Sequence, residues 1–228
     1  MSGAAIPPDC RLVVFDLDGT LYRQGPVRRA MLRELLLDRG HPGRLARLAI
    51  LRRFRELREG MAFEHQGDFD DRLFARLAQE TGRDEEKLRA LVVDWMERRP
   101  LRHLRCARVA GASELFEALR RRGIAVGVWS DYPVVKKLAA LGLTADFIAS
   151  ALDPLIGALK PDPAGLREVM RAAGTRPDET LMIGDRMSRD GAAAASAGVP
   201  FLLLGRRAPS GIPHVPDFHA LLPQMEGA

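Results

Sequence analysis

The chain has 228 residues, a formal net charge of +5 and a sequence pI near 9.7. With 46% hydrophobic and 29% charged residues, it has the composition of a globular protein and not of a disordered one. Its two cysteines are too few for a disulfide framework or a zinc site. Because there is neither an export-type start nor a run of about 18 apolar residues, we expect a cytoplasmic protein that does not enter a membrane.

The positive charge is concentrated in one segment. Residues 22–108 hold 21 Lys and Arg against 14 Asp and Glu, while the remaining residues hold 14 basic and 16 acidic side chains. Solvated, arginine-rich helix faces account for such a segment, and next to an acidic site it also favours an anionic ligand. Aromatic residues are few and no zinc-finger spacing accompanies the arginines, so no nucleic-acid partner is expected.

Three short apolar runs each end on a small polar or acidic residue. Residues 13–15 precede Asp16, residues 124–129 precede Ser130, and residues 181–184 precede Asp185. Short apolar runs bounded by turn residues are typical of strands in a parallel sheet that is buried on both faces. Ligands bind outside the carboxyl ends of such strands, so these side chains and Asp18 are expected to converge. Because clustered carboxylates repel one another, their convergence indicates a bound cation.

After the first run, the apolar pattern becomes helical for some eighty residues. Apolar stripes in this segment predict about four helices, and one stripe recurs at three-residue steps: Leu45, Leu48, Leu51, Phe54 and Leu57. We therefore predict two domains, a core at residues 1–22 and 106–228 and an all-helical insert at residues 23–105. The linkers at residues 22–25 and 105–108 are the expected hinges.

From about Ala107 onward, helical and strand patterns alternate, which is typical of repeated strand-helix-strand units. Residues 147–150 and 199–204 are further strand candidates, and Asp162 is placed to cap a helix that begins near Pro163. The fold predicted is α/β, with a Rossmann-like parallel-sheet core. The tail from Arg206 contains four prolines and is expected to be a surface extension.

Four segments resemble, in order, the motifs of the haloacid dehalogenase superfamily. They are Asp16-Leu17-Asp18-Gly19-Thr20-Leu21, Ser130 after an apolar strand, Lys160-Pro161, and Gly184-Asp185 followed by Asp190. The resemblance covers roughly residues 10–22 and 106–205. In position and helical character, the insert resembles the cap of the subfamily that includes phosphoglycolate phosphatase and beta-phosphoglucomutase.

Two aspartates are the predicted catalytic residues. An aspartate at a strand end can attack phosphorus and form an aspartyl-phosphate, which assigns Asp16 as nucleophile. Asp18 is placed to protonate the leaving oxygen and then to deprotonate water. Oxygen ligands without thiolate or imidazole favour Mg²⁺. The resemblance implies that the side chain of Asp16, the backbone carbonyl of Asp18 and Asp185 are its ligands.

Fixed donors must meet the charge on the transferred phosphoryl group, and Thr20, Ser130 and Lys160 are the candidates. Asp190 is placed to orient Lys160 or a metal-bound water. Residues next to the motifs are further candidates for substrate contact: Asp131, Tyr132 and Arg186. Arginines of the insert are candidates for contact with a second acidic group of the substrate: Arg28, Arg29, Arg52, Arg53 and Arg55.

Asp18 also bears on the type of reaction. Dehalogenases of the superfamily lack an aspartate at this position, because halide leaves without protonation. The resemblance therefore implies a phosphatase acting on a small phosphorylated metabolite. A sugar phosphomutase with the same intermediate, or a non-catalytic basic binding module on the same fold, remain as alternatives.

Overall fold

The computed structural model describes residues 6–38, 43–61 and 69–226. Within these ranges, a six-stranded parallel sheet has the strand order β3-β2-β1-β4-β5-β6. The strands are β1 (Leu12–Phe15), β2 (Ala125–Ser130), β3 (Phe147–Ser150), β4 (Thr180–Gly184), β5 (Phe201–Leu204) and β6 (His214–Val215). The predicted α/β fold with a parallel-sheet core is confirmed.

Both faces of the sheet are covered by helices, which explains why its central strand is apolar throughout. Successive side chains of a strand point to opposite faces. In β1, Val13 and Phe15 belong to one apolar cluster, whereas Leu12 and Val14 belong to another. The first cluster includes residues of α6 (Ala112–Arg121) and α7 (Val135–Leu141). The second includes residues of α8 (Ala164–Ala173) and α9 (Ala192–Ala197).

Between β1 and α6, the described residues form five α-helices and a π-helical turn, where about four helices were expected. These elements are α1 (Gln24–Leu37), α2 (Arg44–Gly60), α3 (Phe69–Thr81), α4 (Glu85–Val92), the turn Val93–Arg98 and α5 (Leu101–Ala107). Residues of α2, α3 and α4 share an apolar cluster that also contains Ala151 and Leu159 from beyond β3. The helices are therefore packed against the loops at the carboxyl edge of the sheet.

The apolar stripe of α2 is only partly buried. Phe54 and Leu57 lie in the apolar cluster, but Leu45 is 73% exposed and Leu48 is 37% exposed. Three-residue steps fall short of a full helical turn by about 60° each, so a stripe of five residues separated by four such steps winds around the helix. The buried face instead follows Ile50, Phe54 and Leu57, which are spaced by four and three residues.

The expectation that the tail is a surface extension is wrong. Val215 of β6 pairs with Leu204 of β5, and the side chains of Phe218 and Leu221 are fully buried. The Phe218 ring meets that of Phe15 at 5.6 Å in an edge-on contact. Prolines interrupt regular elements in this segment, but they do not prevent apolar side chains between them from packing on the core. A last short helix, α10 (Pro223–Glu226), follows. None of the described helices is long and apolar enough to cross a bilayer.

Candidate active site

The predicted site residues meet at the carboxyl edge of the three central strands. Asp16 follows β1, Asp185 follows β4, and Ser130 is the last residue of β2. Because β1 lies between β2 and β4, these positions are neighbours in space. The Ser130 hydroxyl donates to Asp18 Oδ2 at 2.9 Å, across 112 residues of chain.

Asp16 is held at both carboxylate oxygens. Lys160 Nζ lies 2.5 Å from Oδ1, and the Thr20 hydroxyl donates to Oδ2 at 3.0 Å. Burial, together with the neighbouring Asp190 and Asp18 carboxylates, raises the pKa of Asp16 although Lys160 opposes the shift. Thr20 is fully buried. Its hydroxyl therefore contacts the carboxylate of Asp16, and not open space where a phosphate would bind.

Lys160 is enclosed by acceptors. Its ammonium donates to Asp16 Oδ1, to Asp190 Oδ1 at 2.9 Å and to the Trp129 carbonyl at 3.0 Å. An ammonium has three donors, so all of them are in use. Burial lowers the pKa of Lys160, but Asp16 and Asp190 outweigh it and raise the pKa above its ordinary value. The predicted contact between Asp190 and Lys160 is present, and Asp190 Oδ2 also accepts from the Arg186 backbone N–H at 3.0 Å.

Asp18 is surrounded by donors. Besides Ser130, the Tyr22 hydroxyl donates to Oδ1, and Lys137 Nζ lies 2.5 Å from the same oxygen. Burial raises the pKa of Asp18, but Lys137 and the hydroxyl donors outweigh burial and hold the pKa below its ordinary value. The backbone carbonyl of Asp18 accepts from the Gln24 side chain. The side chain of Asp18 is therefore held as a carboxylate.

A cluster of carboxylates fits a cation. Oxygens of Asp16, Asp185 and Asp190 lie within 4.8 Å of one another. Among the described residues, buried Asp185 Oδ1 has no hydrogen-bond partner. Burial and the two neighbouring carboxylates raise the pKa of Asp185 to about 7. An orphaned oxygen in a group of hard oxygen donors matches the ligands that Mg²⁺ prefers.

The Asp185 side chain packs against Gly19, in the loop that follows β1. A Cβ at Gly19 would lie 2.7 Å from Asp185 Cγ, and Gly19 has a φ of +119°, which L side chains rarely adopt. Glycine is therefore required at this position both by space and by backbone conformation.

An open cleft lies over these residues. Its floor includes Asp16, Asp18, Ser130 and Lys137, and its opposite wall belongs to the helices between β1 and α6. The remaining lining includes apolar, basic and acidic side chains, among them Val27, Met31, Trp95, Met96, Pro100, Arg28, Arg55, Arg186, Glu59 and Asp131.

Five of the further candidates for substrate contact line this cleft. Asp131, Tyr132 and Arg186 line it, and so do Arg28 and Arg55. Arg52 and Arg53 instead form ion pairs with glutamates on the helical surface. Arg29 is not among the cleft residues.

Sequence reasoning missed three residues around Asp18: Tyr22 as a side-chain donor, Gln24 and Lys137. A signal for Lys137 exists in the sequence. Val134, just before α7, and Leu138 and Leu141 within it form a buried stripe, and Lys137 falls on the same helical face by its spacing. A lysine within an apolar stripe just after a strand end indicates a buried charge with a partner.

A sequence profile described as "Hydrolase: haloacid dehalogenase-like hydrolase" matches residues 10–198. The chain belongs to this family. The matched range contains all four motifs and the helices between β1 and α6. The profile thus covers most of the length of this hydrolase.

Several curated relatives of this hydrolase are named as phosphatases. A phosphoserine phosphatase of Thermus thermophilus is 28% identical, with 83% of this chain and 86% of the relative covered. A phosphoglycolate phosphatase of Rhodospirillum rubrum is 31% identical, with 85% and 79% covered. A glyceraldehyde 3-phosphate phosphatase of Methanopyrus kandleri is 28% identical, with 91% of both chains covered.

Solved structures share the fold of this hydrolase. A 2-haloacid dehalogenase from Pseudomonas syringae superposes with a TM-score of 0.65 at 22% identity, with 95% of this chain and 98% of that chain covered. A HAD phosphatase from Thermococcus onnurineus gives 0.61 at 21% identity, with the same coverage. Since neighbours named for two chemistries have this fold, the fold alone does not select the reaction.

Proposed function

We propose that this hydrolase is a phosphatase that releases phosphate from a small phosphomonoester through an aspartyl-phosphate at Asp16. The observation that carries the proposal is the Asp18 carboxylate, which lines the same cleft as Asp16. A phosphate ester needs a group that protonates its leaving oxygen. The phosphatase names of the curated relatives support the same reaction.

In the first step, a carboxylate oxygen of Asp16 attacks phosphorus, and the bond from phosphorus to the leaving oxygen breaks. Asp18, a carboxylate in the free protein, takes a proton from the phosphate monoanion of the bound substrate and gives it to the leaving oxygen, and the alcohol departs. In the second step, Asp18 takes a proton from water, the water oxygen attacks phosphorus, and the bond to Asp16 breaks. Asp18 passes this proton to the departing inorganic phosphate, and both aspartates return to their starting states.

Other residues of the site orient these two. Lys160 and Thr20 fix the Asp16 carboxylate, and Asp190 fixes Lys160. Asp16, the Asp18 carbonyl and Asp185 would hold Mg²⁺. When bound, the ion would offset the repulsion between the carboxylates and the phosphate. Asp190 accepts from Lys160 and from the Arg186 backbone N–H, and we assign it to the positioning of Lys160.

The substrate's organic part would lie against the helical wall of the cleft. Two arginines and one glutamate, Arg28, Arg55 and Glu59, line this wall together with Met31, Trp95 and Met96. Such a mixed lining fits a short organic group and leaves space for a further anionic substituent. We therefore infer a small phosphorylated metabolite as substrate. Cytoplasmic location remains a prediction.

The test is phosphate release from 4-nitrophenyl phosphate and from phosphoglycolate, O-phosphoserine and glyceraldehyde 3-phosphate, with Mg²⁺ or with EDTA. Asp16→Asn is nearly isosteric, and we expect it to abolish release while the protein remains folded by circular dichroism. Acid-quenched wild type should carry phosphate at Asp16 in mass spectrometry. As a matched control, Asp178→Asn changes an exposed carboxylate outside the cleft and should retain full activity.

Activity of Asp16→Asn close to that of the wild type would refute Asp16 as nucleophile. Isomerisation of a sugar phosphate without phosphate release would indicate the phosphomutase instead. If no phosphomonoester is turned over with any divalent metal, the proposed function is wrong.

A further inference from the structure

Lys137 is a buried cation that lines the cleft and has no role in the steps above. It lies in the first turn of α7 and is 7% exposed. Its ammonium is 2.5 Å from Asp18 Oδ1 and 5.0 Å from the centre of the Tyr132 ring. Burying a lysine is costly, so a buried lysine beside a catalytic carboxylate calls for a reason beyond packing.

The two lysines of the site differ in the donors that they have free. The ammonium of Lys160 is 1% exposed, is absent from the cleft lining and uses all three donors on Asp16, Asp190 and Trp129. Within the described part of the chain, the hydrogen bonds of Lys137 are limited to the one with Asp18. Two of its N–H groups therefore remain available to a ligand in the cleft.

The position of Lys137 relative to Asp18 identifies the substrate atom within its reach. The carboxyl group of Asp18 must lie next to the leaving oxygen in order to protonate it. Lys137 is hydrogen-bonded to that same carboxylate, whereas Lys160 is bonded to the nucleophile Asp16. Lys160 thus lies beside the attacking oxygen of Asp16, and Lys137 lies beside Asp18, the proton donor.

We propose that Lys137 is a catalytic residue whose ammonium donates a hydrogen bond to the leaving oxygen of the substrate. The proposal rests on the proposed phosphatase function. As the bond to phosphorus breaks, negative charge develops on the leaving oxygen, and a fixed cation next to it stabilises that charge. Lys137 keeps its own protons throughout, and the proton that the alcohol gains comes from Asp18.

The type of leaving group separates this role from a structural one. Nitrophenolate spreads its charge over the ring and needs little help in leaving, whereas an alkoxide keeps its charge on oxygen. A residue that serves the leaving oxygen therefore matters more for an alkyl phosphate than for an aryl phosphate. The constant kcat/KM covers the steps up to departure of the alcohol, so slow hydrolysis of the phosphoenzyme does not enter the comparison.

The experiment measures kcat/KM of Lys137→Met with 4-nitrophenyl phosphate and with the alkyl phosphate that the wild type hydrolyses fastest. We expect a loss of about 10²–10³-fold for the alkyl phosphate, which is typical for removal of one such donor, and a much smaller loss for the aryl phosphate. Lys137→Arg keeps the positive charge and should recover part of the alkyl activity.

Lys136→Met is the matched control, because Lys136 is the exposed neighbour on the same helix, and it should leave both constants unchanged. If Lys137→Met does not fold by circular dichroism, Lys137→Gln keeps a donor to Asp18, removes the charge and should show the same substrate split. Equal losses for the two substrates, or no loss, would overturn the role at the leaving oxygen. A wild type inactive on every phosphate would instead refute the proposed function and this role with it.

Discussion

At the scale of single residues, Asp185 is a carboxylate whose negative charge the folded protein disfavours. Burial, Asp16 and Asp190 raise its pKa from 3.8 to about 7, and one of its oxygens has no partner among the described residues. The folded protein therefore holds this proton more tightly than the unfolded chain does. In the absence of metal, stability should fall as the pH rises from about 4 to 7.

We expect Asp185→Asn to unfold at a higher temperature than the wild type in EDTA, with a gain that is largest above pH 7 and vanishes near pH 4. Mg²⁺ at about 100 times its dissociation constant should raise the unfolding temperature of the wild type by about 5–10 °C and should leave the variant unchanged. Differential scanning calorimetry with and without Mg²⁺ measures both effects. Asp178→Asn should respond to Mg²⁺ as the wild type does, and an equal shift in Asp185→Asn would exclude Asp185 as a ligand.

At the scale of elements, α8 approaches β2 through a glycine. A Cβ at Gly165 would lie 2.5 Å from Trp129 Cε2 and 2.6 Å from Cδ1, so the indole ring occupies the space of a side chain. The same Trp129 offers its carbonyl to Lys160 and its ring face to the ammonium at 4.6 Å. The contact between this helix and this strand therefore also supports Lys160.

Gly165→Ala should push the indole ring away and lower the free energy of unfolding by about 1–3 kcal/mol, as overpacking does. It should also lower kcat, because Lys160 is displaced. Urea unfolding and phosphatase kinetics measure these effects. Gly25→Ala is the control in another helix, since its added methyl group meets only the Arg29 side chain at 3.8 Å. A Gly165→Ala protein as stable as the wild type would show that the α8 contact is looser than described.

The sequence predicted elements well where apolar runs were continuous and poorly where they were short. The strand at residues 147–150 is present as β3, and the strand ends at Asp16 and Asp185 follow their apolar runs directly. The two-residue strand β6 is too short for any period to show. In α2, the three-residue stripe did not indicate which face is buried.

The site residues could be inferred from the sequence because strand ends converge. The side chains that bind them could not be inferred, because such contacts depend on side-chain length and direction. Lys137 and Tyr22, which bind Asp18, and Thr20, which binds Asp16, are examples.

At the scale of the whole molecule, the tail closes the core and is not an appendage. Phe218 is fully buried and lies against Phe15 of the central strand. Phe218→Ala should lower the free energy of unfolding by about 3–5 kcal/mol, the usual cost of emptying such a site. Chemical denaturation measures the loss. Arg207→Ala changes an exposed residue of the same tail and should be neutral. If the two variants were equally stable, Phe218 would contribute nothing to the core, and the tail would be a surface extension.

The central position of β1 also determines when the catalytic groups can meet as the chain folds. Leu12 pairs with Ala125 on one side and with Thr180 on the other, so more than a hundred residues must form a loop before β1 acquires its first partner. Asp16 and Lys160 are 144 residues apart in the chain. Contacts between residues so distant in sequence make folding slow. During refolding, catalytic activity can therefore return only after β1 has paired with both β2 and β4, and recovered activity would report the completion of folding.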